Sequence, residues 1–147
     1  MIVVTVPQIE YIAFHLAREL FTYNEPIPDF ATRFPNILES CLGAPFQTYG
    51  RKELYPTFIA KSSILFYMLI KNHPFQNGNK RIAVTTLLYA LHREKKWIKV
   101  HTRALYDCAM FIAKSPAGAK DEVISYIEKF INNNIEALRP MAPKAKE

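Results

Sequence analysis

The sequence predicts an all-α fold, about six helices packed around one buried central helix, with a small β-hairpin flap. Three observations predict it. Long apolar segments recur at helical spacing along a 147-residue chain that holds only four glycines. Residues 82–91, from Ile82 to Leu91, are apolar on nearly every side, so that helix has to be wrapped by others. Half of the residues are hydrophobic, enough for a core that needs no disulfide or metal. A chain of this length reads as a single domain, residues 1–139, with a disordered basic tail at 140–147 that carries Lys144 and Lys146.

Each element has its own signal. Residues 2–6 are mostly β-branched and suit a short strand or an extended arm. Pro7 suits the first turn of a helix, and Ile9, Ile12, Ala13, Leu16 and Leu20 then share one face to about Phe21. Residues 24–28 form a turn-rich linker with two prolines. A second helix is expected over 30–42, with Pro35 near its start and Gly43 ending it. Residues 44–53 are the least helical part of the middle. Phe46, Thr48 and Tyr49 favour a strand and Gly50-Arg51-Lys52 a hairpin tip, although a plain connecting loop is equally open on the residues alone. Pro56 opens a helix that runs to His73, with Phe58, Ile59, Leu65, Phe66, Leu69 and Ile70 at helical spacing. The central helix follows over 79–95, then an extended link at Trp97-Ile98-Lys99-Val100. Thr102 is placed to cap the next helix, with Leu105, Cys108, Ala109 and Ile112 inward. Ser115-Pro116-Ala117-Gly118 breaks the chain. In the last helix Asp121 and Glu122 complement the dipole, and Val123, Ile124, Ile127, Phe130 and Ile131 form the core face.

Composition narrows the function. The net charge is +6, but the lysines and arginines are scattered rather than striped. A nucleotide or an acidic protein is therefore a better partner than nucleic acid. Cys41 and Cys108 are the only cysteines and read as buried thiols of a reducing compartment rather than a disulfide. The start has no basic leader, and no apolar run reaches membrane-spanning length, so the expected location is cytoplasmic, with no membrane partner. His15, His73, His92 and His101 lack the spacing of zinc ligands.

The chemistry concentrates in His73-Pro74-Phe75-Gln76-Asn77-Gly78-Asn79-Lys80-Arg81, a polar stretch between two buried helices. The first backbone N–H groups of a helix have no partner within it and carry partial positive charge. Gly78 lets the chain approach a ligand closely and take positive φ. Lys80 and Arg81 put two cations in the first turn, where they oppose the helix dipole unless an anion sits among them. That combination is a candidate phosphate site. Phe75, an apolar side chain in a polar loop, pins the loop to the core, and His73 faces the site.

This run resembles the signature of the Fic/Doc superfamily, whose Fic branch reads H-P-F-x-[D/E]-G-N-G-R. Lys80 in place of the second glycine is similar to the Doc (death-on-curing) branch, H-x-F-x-D-[A/G]-N-K-R. Leu54-Tyr55-Pro56 and Leu38-Glu39-Ser40 also resemble Doc-type chains, and the likeness spans roughly residues 5 to 135 in element order. Asn77 departs from the pattern, standing where the family has an acidic residue.

The resemblance implies a Fic/Doc-like bundle and a transferase. His73 would be the general base, with Gly78, Asn79, Lys80 and Arg81 on the phosphates of ATP. Asn77 would stand at the position that ligates Mg²⁺, as a neutral and poorer ligand than a carboxylate. The flap would receive an extended segment of a protein target along Gln47, Thr48 and Tyr49. The Doc likeness implies a toxin of a toxin–antitoxin pair. It would phosphorylate a hydroxyl of a translation factor such as elongation factor Tu, and a cognate antitoxin would restrain it. Two alternatives stand beside this: an AMP transferase of the Fic type, and an attenuated relative that binds nucleotide or a partner without turnover because of Asn77. The Asn77-Gly78 pair is also prone to deamidation, which would create an acid there.

Overall fold

The computed structural model describes residues 4–17 and 26–138. Helix α1, Val6–Tyr11, begins on a capping box: the Thr5 hydroxyl accepts from Gln8 N, and the Gln8 side chain accepts from Thr5 N. It runs on as a π-helical turn, Ile12–Ala17. The expected arm over residues 2–6 is thus helical from Val6, while the expected end near Phe21 and the linker's first residues lie outside the described residues, as does the tail at 140–147. The second helix divides. A short 3₁₀ turn, Phe30–Thr32, precedes α2, Pro35–Gly43, because Pro35 cannot donate into a preceding turn and takes the first helical position. Gly43 does not stop α2 in a left-handed conformation; at φ −82° the chain continues into a second 3₁₀ turn, Ala44–Phe46.

Strands β1, Thr48–Tyr49, and β2, Lys52–Glu53, then pair antiparallel as a hairpin. Its tip is Gly50-Arg51, both at positive φ (56° and 67°), the primed turn that matches strand twist; Lys52 belongs to β2 rather than to the tip. Helix α3, Phe58–Lys71, is capped by Thr57, so Pro56 lies outside it and His73 beyond its end. Helix α4, Asn79–Arg93, ends two residues before Lys95, whose φ of 57° turns the chain.

From Ile82 to Leu91 every residue of α4 but Tyr89 is buried. Thr85 and Thr86 are tolerated there because their hydroxyls donate to the carbonyls of Arg81 and Ile82, each at 2.7 Å. Helix α4 packs against α3, the π-helical turn, strand β3 (Lys96–Ile98) and helix α5 (Thr102–Lys114). Helix α6, Lys120–Asn134, covers α3 from the other side with Val123, Ile124, Ile127 and Ile131.

The molecule is therefore the expected all-α bundle around a central helix, six α-helices among the described residues. It has one unforeseen part. The extended link after α4 is a strand, β3, paired antiparallel with β4, Ile135–Ala137, with Ile98 opposite Ile135. Cys41 and Cys108 are buried free thiols, as expected. Among the described residues no helix is long and apolar enough to cross a membrane.

Candidate active site

The loop between α3 and α4 is held from three directions. Phe75 is 2 % exposed and its ring centroid lies 6.0 Å from that of Phe30. Phe34 N donates to Pro74 O at 2.9 Å, tying the loop to the segment before α2. The third hold is Asn79. Its Oδ1 accepts from Phe75 N at 3.0 Å and its Nδ2 donates to Phe75 O at 2.9 Å, so one amide satisfies both backbone groups of the anchor residue. Asn79 is buried, and its side chain shapes the loop from inside.

His73 stands on this frame in an unusual backbone state. Its φ is +49°, a left-handed conformation just after the α3 cap Asn72 and just before a proline. Residues before proline avoid helical φ/ψ, and non-glycine residues at positive φ cost about 1–3 kcal/mol. The ring is exposed, and its Nδ1 lies 3.5 Å from Asn79 Nδ2. The histidine thus sits over the start of α4.

That start has no side-chain cap. Gly78 occupies the cap position at φ +74°, and its carbonyl accepts from Ile82 N at 2.9 Å. No acidic residue lies in the first turn. One side of the loop is closed: a Cβ on Gly78 would fall 2.8 Å from Ile27 Cδ1 and 3.0 Å from Pro26 O. Glycine is therefore required twice, by φ and by contact. The exposed side carries His73, Gln76 and Asn77.

The predicted phosphate residues divide in placement. Lys80 is half-buried in the first turn of α4. Arg81 is 7 % exposed, and its Nη2 donates to Ala17 O at 2.8 Å. The charge that looked uncompensated in the sequence is thus turned inward, with one of its N–H groups on a backbone carbonyl of the π-helical turn. Asn77 Oδ1 accepts from Gly78 N at 2.8 Å, so its oxygen is turned back on the backbone. Among the described residues no group of three or more His, Cys, Asp or Glu is placed to hold a metal ion. Gln47, Thr48 and Tyr49 are exposed along the hairpin, Tyr49 at 81 %. The sequence held no signal for Ala17 O, Pro26 O or Phe34 N, because a backbone group has no residue type to betray it. Ile27 was equally hidden in what read as a linker.

A family model described as Fic/DOC family matches residues 4–91. The chain belongs to that family. The matched stretch spans α1 through most of α4, and so contains the hairpin, the loop and the uncapped helix start of this Fic/DOC domain. The family is generally one of transferases, which makes an enzyme the supported class. No curated protein matches this Fic/DOC chain, and no solved structure does.

Proposed function

We propose that this Fic/DOC domain is a Doc-like phosphotransferase that moves the γ-phosphoryl group of ATP to a hydroxyl of a protein. The observation that carries the reading is His73, held exposed at φ +49° over the uncapped start of α4. Strain of that kind persists where the fold over-determines it, and it concentrates at functional sites.

In this reading the phosphates lie against the first N–H groups of α4, with Lys80 as a point charge. The hydroxyl oxygen attacks the γ-phosphorus, the bond to the β–γ bridging oxygen breaks, and ADP leaves. The proton passes to the unprotonated ring nitrogen of His73, a transfer typically worth about 10²–10⁴-fold. Arg81 donates one N–H of its guanidinium to Ala17 O, which ties the start of α4 to the π-helical turn. The lysine at position 80 favours phosphoryl over AMP transfer by its resemblance to the Doc branch. Mg²⁺ fits poorly: the one loop oxygen at the expected position is a neutral amide already engaged by Gly78 N, and no step is assigned to the metal. The setting that follows is a toxin held by an antitoxin, acting in the cytoplasm on a translation factor such as elongation factor Tu.

The test is labelled ATP in a translation lysate. γ-Labelled ATP should mark a protein band, α-labelled ATP should not, and His73→Ala should abolish the mark. Label from the α-position would make the protein an AMP transferase. No label from either, with Asn77→Asp equally silent, would leave a binding module.

A further inference from the structure

Lys61 is the one buried charge of α3 that the proposed chemistry does not use. Its side chain is 6 % exposed, yet it lies far along the chain from the motif loop. Its Nζ donates to Pro45 O at 3.0 Å, to Glu53 Oε1 at 3.0 Å and to Tyr55 O. It also lies 5.2 Å from the centroid of the Phe46 ring. Three donors thus meet three acceptors, which is the full capacity of an ammonium group.

The position of those acceptors matters more than their number. Pro45 and Phe46 lead into β1, whereas Glu53 ends β2 and Tyr55 follows it. One ammonium therefore gathers both legs of the hairpin and binds them to the first turn of α3. Outside the stem, the hairpin has little to hold it. Its strands are two residues each, all exposed, and closed at the base by Leu54 N donating to Gln47 O at 3.0 Å. An isolated hairpin of that size is not stable in water.

We propose that Lys61 is a positioning residue: it staples the hairpin stem to α3 and so presents a preset edge to the protein target. The proposal rests on the reading above in taking the hairpin as the docking edge. A flap already ordered spares the target segment part of the ordering cost of binding. A side chain that only filled space would not gather both legs. Arginine should restore much of the effect, since it keeps charge and donors, and methionine should not.

Hydrogen exchange and steady-state kinetics on the full chain decide it. In Lys61→Met, amides of residues 47–55 should exchange faster by about 10-fold or more, with those of α4 unchanged. KM for the protein target should rise by about 10-fold, with kcat and KM for ATP within about twofold, and Lys61→Arg should recover most of both. Unchanged exchange in the hairpin overturns the staple. A parallel rise of both KM values, or faster exchange with KM for the target unmoved, overturns the positioning role. Should Lys61→Met fail to fold, Glu53→Ala removes one half-exposed arm alone; faster exchange confined to the hairpin supports the staple, and unchanged exchange overturns it. If the wild-type protein transfers no label at all, the function proposed above fails, while the exchange result still decides the staple.

Discussion

Single side chains in the motif loop have separable duties. At position 73 the backbone wants a glycine and the chemistry wants an imidazole. His73→Gly should therefore raise stability by about 1 kcal/mol in denaturant titration while transfer is lost. His73→Ala should lose transfer without that gain. Asn79 has the opposite character. Asn79→Ala leaves Phe75 N and O buried without their partner and should cost about 2–4 kcal/mol, read from the urea midpoint at constant m-value. Much of this was legible beforehand. His73, Phe75 and Gly78 announce themselves by type and spacing. Asn79 and Arg81 do not, because the same polar atoms serve equally for a ligand or for a carbonyl in the chain. Their type names the bond each can make, and the fold selects the partner.

Elements were legible where their own residues close them. Helix α4 reads directly from an apolar run without a polar face, and α6 from its stripe of Val123, Ile124, Ile127 and Ile131. The hairpin tip reads from Gly50. The start of α1 was less obvious, since Thr5, in what looked like a β-branched arm over residues 2–6, caps it through a reciprocal pair of bonds with Gln8. Thr5→Ala should cost about 1 kcal/mol, measured by thermal or urea unfolding. Strand β3 could not be assigned from its own residues. Lys96, Trp97 and Ile98 make a strand only because Ile135–Ala137 arrives alongside, and β4 lies far downstream. Likewise the cap of α5 is His101, whose Nδ1 accepts from Arg103 N at 3.1 Å, and Thr102 is the first helical residue.

The family match ends at residue 91, but the core does not. Helices α5 and α6 supply Leu105, Ile112, Val123, Ile127 and Ile131 to the same buried cluster. A chain cut after Arg93 should expose the faces of α3 and α4 that they cover. It should show helical far-UV circular dichroism without the near-UV signal of packed aromatics, and bind a hydrophobic dye. The two thiols report on the same core. Burial pushes Cys41 from 9.0 up to about 11 and Cys108 up to about 12. The folded chain thus keeps both protons when the unfolded chain has begun to lose them. Their contribution to stability is full below pH 9 and falls as pH rises through that window, because the unfolded state then binds fewer protons. Urea midpoints should fall from pH 9 to 11, and replacing both cysteines by alanine should flatten that fall. At pH 8 a thiol reagent should label the native protein far more slowly than the urea-unfolded chain.

Local order, helical periods and the nine-residue loop follow from side-chain type and spacing, since each depends on neighbours a few positions away. The class of fold follows from the same source, because an apolar helix with no polar face has to be enclosed. Which carbonyl receives Arg81, which residue leans on Gly78 and which acceptors surround Lys61 all depend on segments brought together from distant positions. Backbone groups carry no identity until packing places them.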